Sequence, residues 1–212
     1  MCFLSGCNFD CPYCHNPGLV RGGSSTQSGW DEQGFFRFLE ERKGFLDGVV
    51  VSGGEPTLNN GLFSLCEKIK ELGYPVKLDT NGSRPEVIEA LIRKGVVDYI
   101  AMDIKTDPLH YPGFIKKDCD PKSILSSIRI IMESGLCYEF RTTCVRPIVD
   151  ARIIESIAKT IQGAVLYVLQ KFHDVEVLHP EFFQGMTAGY GDDEMMFLKS
   201  VAEPWVKTCV IR

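Results

Sequence analysis

Residues Gly6-Cys7-Asn8-Phe9-Asp10-Cys11-Pro12-Tyr13-Cys14-His15-Asn16-Pro17 set three thiols in the spacing CxxxCxxC, directly after the short apolar run Met1 to Ser5. Thiols packed this closely predict a metal site. Iron–sulfur clusters are held by cysteine thiolates, and a cubane takes one ligand at each iron. This loop supplies only Cys7, Cys11 and Cys14. The ferredoxin run CxxCxxC with a remote cysteine before a proline is not matched, so one iron would stay open to an outside ligand. An open metal position separates reacting centres from structural ones. The competing reading is zinc on Cys7, Cys11, Cys14 and His15, since three cysteines and a histidine are a common structural set. Against it, Cys14 and His15 are adjacent, and neighbours rarely point at one ion.

Outward from the loop, apolar runs and helical stripes alternate. Met1 to Ser5 reads as a strand, Arg21 to Gly29 as a Gly/Ser-rich loop, and Trp30 to Arg42 as a helix carrying Phe35, Phe36 and Leu39. Gly48 to Ser52 is a β-branched strand of the kind covered on both faces. Leu62, Leu65, Cys66, Ile69 and Leu72 mark the next helix, stopped by Gly73. Val76 to Thr80 is a third strand, and Ser83 to Glu86 suggests a capping box before the stripe Val87, Ile88, Leu91 and Ile92. Strands over Val96 to Asp103, Cys137 to Val145 and Ala164 to Gln170 follow, separated by helices carrying Ile124 to Ile131 and Ile153 to Ile161. Six strand–helix units in a row predict an α/β fold with a parallel sheet and right-handed crossovers. Eight units close a (βα)8 barrel, so six leave it open at the side. The core is expected over residues 1–173 of a single 1–212 domain, with 174–212 as an extension holding a short helix at Asp192 to Ser200 and an edge strand at Trp205 to Ile211.

Composition fits a globular protein of one domain: 212 residues, 44% hydrophobic and 24% charged. A net charge of -5 gives no basic footprint, so nucleic acid is not expected as a partner. No apolar stretch reaches the length of a membrane span and no basic-then-apolar leader opens the chain, which predicts a cytoplasmic protein with reduced cysteines. Cys66, Cys137 and Cys144 read as small buried apolar residues. Cys2, Cys119 and Cys209 have no assignable role, and His110 and His179 read as ordinary surface or loop histidines.

The cysteine loop, with an aromatic before its last cysteine, resembles the radical S-adenosylmethionine enzymes. Its longer run Gly6 to Pro17 is similar to the glycyl-radical-enzyme activases, most of all those serving anaerobic ribonucleoside-triphosphate reductase. The resemblance covers about Phe3 to His173. It implies a partial (βα)6 barrel and a [4Fe–4S] cluster on Cys7, Cys11 and Cys14, with Tyr13 and His15 near the cofactor. Family members generally carry a short segment before the first strand.

Functional groups in parallel βα folds collect at the C-terminal strand ends. Consecutive glycines in Ser52-Gly53-Gly54-Glu55-Pro56 let backbone approach a ligand, or make a plain tight turn. The resemblance assigns this segment to the amino group of S-adenosylmethionine. An ionised Asp79 entering the Asn81-Gly82 turn is a poor core residue; by resemblance Asp79, Thr80 and Asn81 lie beside the methionine carboxylate, where a monovalent cation can sit. Alternation puts Asp103 and Lys105 on one face, so they pair with each other or bind something; by resemblance they lie near S-adenosylmethionine and the incoming glycine loop and, with His173, are the candidate catalytic residues. Arg141, in an apolar strand, needs a carboxylate or a ligand; by resemblance the ligand is S-adenosylmethionine. His173 is either an exposed loop residue or, by resemblance, proximal to the cofactor. The implied chemistry is one-electron cleavage to a 5'-deoxyadenosyl radical that removes a Cα hydrogen from glycine. The implied partners are the large anaerobic ribonucleotide reductase subunit or another glycyl radical enzyme such as pyruvate formate-lyase, and an electron donor such as flavodoxin or ferredoxin. A non-catalytic zinc or iron–sulfur module is the alternative from a different class.

Overall fold

The computed structural model describes residues 1–20, 31–108, 111, 120–173 and 175–212. The apolar runs become seven strands: β1 (Cys2–Leu4), β2 (Val49–Gly53), β3 (Val76–Thr80), β4 (Tyr99–Asp103), β5 (Cys137–Cys144), β6 (Tyr167–Lys171) and β7 (Cys209–Ile211). All neighbouring pairs are parallel, and their order in space is their order in the chain. Helices α1 (Pro17–Val20), α2 (Glu32–Glu41), α3 (Leu62–Glu71), α4 (Pro85–Lys94), α5 (Pro121–Glu133), α6 (Ala151–Thr160) and α7 (Asp192–Ala202) lie in the connections. The sheet does not close: β1 and β7 are both edges.

Period-two alternation gives the sheet two unlike faces. Val51, Leu78, Ile100, Met102, Phe140 and Leu169 are fully buried and pack in one core with Ile69, Leu91, Ile128 and Ile157 of the helices. The residues between them along the strands, among them Ser52, Asp79, Asp103, Glu139, Arg141 and Gln170, form a polar inner face. That face is concave. Glu139 of β5 reaches Lys77 of β3 at 3.0 Å and Arg212, just past β7, at 2.8 Å, although each lies two strands away in a sheet whose strands stand about 4.8 Å apart. The result is an open, partial TIM-like barrel.

Four expectations need correction or completion. The sheet has a seventh parallel strand, and of the expected Trp205 to Ile211 only Cys209–Ile211 pairs, because Lys207 N and Trp205 O are drawn to Ala164 O and Gly163 N instead. The Ser83–Glu86 capping box is absent: α4 starts at Pro85 behind Arg84, with no side-chain cap. Ser83 Oγ instead accepts a hydrogen bond from Asn8 Nδ2 of the cysteine loop. Cys137 is exposed rather than buried, since it opens β5 at the rim away from the core. The loop at 21–29, Trp30, His110 and Cys119 lie outside the described residues.

Candidate active site

The cysteine loop joins β1 to α1 and is tied to its surroundings from several sides. Gly6 N donates to Leu19 O at 2.7 Å, closing the loop, and Cys14 N donates to Cys11 O at 3.0 Å. Gly54 N donates to Leu4 O and Glu55 N to Gly6 O, both at 2.8 Å, stitching the end of β2 to its base. From the end of β3, Asn81 Nδ2 donates to Asn8 Oδ1 at 3.0 Å. The three cysteines line one end of a cavity of about 410 Å3 at the C-terminal ends of the strands, within the range of about 300–1,000 Å3 typical of small-molecule sites. Ser52, Gly54, Asp79, Thr80, Asn81, Asp103, Lys105, Arg141, Tyr13, His15 and His173 line it too.

Opposite the thiols lies a lattice of charges. Asp103 accepts from Lys105 Nζ at 2.9 Å and from Arg141 Nε at 2.6 Å. Arg141 Nη1 also lies 3.4 Å from Asp79 and 3.9 Å from Glu139. Burial works against the charged form of Asp103, but Lys105 and Arg141 outweigh it and hold the carboxyl down at about 2. Burial likewise disfavours the Lys105 cation, yet Asp103 raises its pKa well above the usual lysine range. For Asp79 burial wins, and its carboxyl is pushed up despite Arg141 and Lys77. Lys77, Glu139 and Arg212 were not singled out by the sequence, nor were the lining residues Phe9, Asn16, Thr143, Gln170 and Lys171. Alternation was the available signal: Lys77 precedes Asp79 by two on β3, and Glu139 precedes Arg141 by two on β5.

Two predicted residues stand behind the cavity wall. Gly53 packs on β1, where a Cβ would meet Leu4 O at 2.1 Å. Glu55 is 1% exposed, with both carboxylate oxygens engaged: Oε1 by Thr57 and Thr80, Oε2 by Asn81 N. The two consecutive glycines thus serve backbone-to-backbone approach, and Glu55 joins two strand ends rather than facing the cavity. His15 sits at the exposed edge of the cavity, its ring stacked 5.7 Å from Phe172 and its Nε2 3.1 Å from His173 O. His15 is engaged with Phe172 and the His173 carbonyl rather than set beside the three thiols as a fourth donor to one ion. A cubane takes each thiolate at a different iron and needs no convergence on one ion.

The residues fit an iron–sulfur cluster with a zwitterionic nucleotide beside it. Burial pushes the Cys11 thiol up to about 12, so it ionises readily only against a cationic centre. Tyr13 Oη and Asp79 Oδ1 are buried with no hydrogen-bond partner among the described residues, as expected of atoms that await a ligand. Lys77, Lys105, Arg141 and Arg212 are held in place by Asp79, Asp103 and Glu139, so cations stand fixed in the cavity wall where a ligand carboxylate would meet them.

Replacing Asp103 tests the lattice. Asp103→Asn leaves Lys105 and Arg141 facing each other, a loss of about 3 kcal/mol, or about 6–12 °C in melting temperature for a chain of this size. The stabilisation by Asp103 is fully present above about pH 4, the unfolded carboxyl value. It is lost as pH falls toward the folded value of about 2. Calorimetric melts from pH 6 to 2 should therefore show wild type losing an advantage over Asp103→Asn that the variant never had; an unchanged difference would refute this.

A family model for the radical SAM superfamily matches residues 1–160. A protein of Methanocaldococcus jannaschii, named as a candidate glycyl-radical enzyme activating enzyme, is 35% identical over 99% of this chain and 87% of its own length. The pyruvate formate-lyase-activating enzyme of Listeria monocytogenes is 37% identical over 49% of this chain and 45% of its own. Among solved structures, Streptococcus suis SuiB bound to its precursor peptide SuiA superposes with a TM-score of 0.71 at 13% identity, covering 99% of this chain and 47% of that one. The chain thus spans about half the length of these last two proteins, and SuiB speaks to the fold alone. The matched core, the cysteine loop and the full-length relative agree: this chain belongs to the radical SAM superfamily, among its glycyl-radical-enzyme activating enzymes.

Proposed function

We propose that the chain activates the large subunit of anaerobic ribonucleotide reductase by abstracting a Cα hydrogen from one of its glycines, in the cytoplasm, with flavodoxin or ferredoxin as electron donor. The observation that carries the reading is the meeting, in one cavity of an unclosed barrel, of a three-thiol loop with the Asp103–Lys105–Arg141 lattice. When bound, a reduced [4Fe–4S] cluster and S-adenosylmethionine supply the radical that takes the hydrogen. Cys7, Cys11 and Cys14 would hold the cluster. Ser52 and the backbone at Gly54 line the wall against the amino group, and the Arg141 guanidinium receives the carboxylate. Asp79 Oδ1 offers a monovalent cation a place from which to share with Arg141 the balancing of two carboxylates. Tyr13 and Phe9 bring apolar ring surface to the cysteine end and limit water there. His173 stands exposed at the rim, where the glycine-bearing segment would enter through the gap between β1 and β7, while Lys105 lies deeper against Asp103. Nothing in this assignment needs a side chain as nucleophile or general base.

A second reading, activation of pyruvate formate-lyase, is favoured by the similarity to the Listeria enzyme. Incubating reconstituted, reduced protein and S-adenosylmethionine with each candidate partner distinguishes the two. The expected result is a glycyl doublet by electron paramagnetic resonance on the reductase and none on the lyase. A doublet on the lyase alone would transfer the assignment to it, and cofactor cleavage with no doublet on either would defeat both.

A further inference from the structure

The family match ends at residue 160, yet the half of the cysteine loop that carries Cys11 and Cys14 is held from beyond that point. Leu178 N donates to Cys14 O at 3.0 Å and His179 N donates to Pro12 O at 3.1 Å. The His179 ring then spans two carboxylates, Nε2 at 3.3 Å from Asp10 Oδ2 and Nδ1 at 3.1 Å from Glu181 Oε1. On the other side His15 stacks on Phe172, Phe172 stacks on Phe183 at 5.7 Å, and His15 Nε2 meets the His173 carbonyl. Among the described residues, the loop itself contributes between 10 and 15 only one backbone bond of its own, Cys14 N to Cys11 O. Without regular structure, the geometry of the last two ligands is set by this outside segment.

Ordinary packing of a C-terminal segment on a neighbouring loop is the plainer account. It does not explain why the contacts concentrate on the carbonyl of Cys14, on the carbonyl of Pro12 two residues before it, and on the side chains of Asp10 and His15, which flank the two cysteines. We infer that Phe172, His173 and residues 175–183 are a clasp that fixes the Cys11–Cys14 side of the loop and slows loss of iron from it, with His179, Phe172 and Phe183 as positioning residues. This rests on the reading that Cys7, Cys11 and Cys14 hold the cluster. Outer partners that orient metal ligands are typically worth about 10- to 100-fold in metal affinity, which sets the size of the effect.

The test compares anaerobically reconstituted full-length wild type with His179→Ala, Phe183→Ala and the double variant. Leu198→Ala serves as a control for general loosening, since Leu198 is buried on α7, which packs on α6 and β7. The readouts are the rate of iron transfer to a ferrous chelator and the melting temperature of the metal-free protein. His179→Ala should release iron about tenfold faster, with a metal-free melting temperature within about 2 °C of wild type. The double variant should release faster still, and Leu198→Ala should melt lower yet release iron at the wild-type rate. Wild-type release from the clasp variants, or equal acceleration in Leu198→Ala, would overturn the clasp while leaving the cluster assignment standing. Failure of wild type to take up iron would overturn both.

Discussion

Gly54→Ala is expected to lower the melting temperature by about 10 °C and to leave the reconstituted protein with less than half of the wild-type iron. A Cβ at this position would lie 2.1 Å from Gly6 O and 2.6 Å from Gly6 C. Both are backbone atoms, so no rotamer change relieves the contact; either β2 or the cysteine loop must move. The same approach carries the bonds Gly54 N to Leu4 O and Glu55 N to Gly6 O, each worth about 1 kcal/mol. Overpacking of about 1–3 kcal/mol adds to their loss, giving about 3–5 kcal/mol, and for a chain of this size each kcal/mol is about 2–4 °C. Gly53→Ala would be a poorer probe of the site. Its φ of +129° and a Cβ 2.1 Å from Leu4 O combine strain and clash against β1 itself, so it would report on the sheet edge. The measurements are calorimetry of the metal-free protein and colorimetric iron after reconstitution; normal iron content in a destabilised Gly54→Ala would show that the loop tolerates displacement.

The fold was legible in the sequence because a parallel sheet buried on one face and polar on the other writes itself as apolar runs with periodic charges. Asp103 and Lys105 could be read as a pair and Arg141 as needing a carboxylate or a ligand; that its carboxylate is Asp103 was shown only by the fold. Curvature was not legible. That Lys77 and Arg212 meet on Glu139 depends on strands two places apart bending toward each other, and no local pattern encodes a bend. The Ser83 motif failed for a related reason: a hydroxyl that could cap α4 met a stronger demand from Asn8, 75 residues earlier in the chain. His179 carried no motif because Asp10 and the carbonyl of Pro12, which it meets in space, lie near the other end of the chain.

Glu55 gives the second large effect, and it separates two roles that sequence position alone merges. Glu55→Ala should cost about 4 kcal/mol, or about 8–16 °C. It strands four buried donors at once: Thr57 N and Thr57 Oγ1 at 3.1 and 2.6 Å, Thr80 Oγ1 at 2.8 Å, and Asn81 N at 2.6 Å. Burial pushes the Glu55 carboxyl up, while the bonds from Thr57, Asn81 and Thr80 pull it back toward the charged, all-acceptor form. Glutamine keeps the shape but replaces one acceptor oxygen with an NH2 group that must face a donor. Glu55→Gln should therefore fall between wild type and alanine, at about 2 kcal/mol. A residue that merely contacted the amino group of S-adenosylmethionine would behave otherwise, with unchanged melting of the metal-free protein and weaker nucleotide binding. Melting temperatures of both variants without metal or nucleotide decide the matter: an unaltered melt in Glu55→Ala would return Glu55 to the cavity, and the graded loss would identify it as the joint between the ends of β2 and β3 on which the cysteine loop rests.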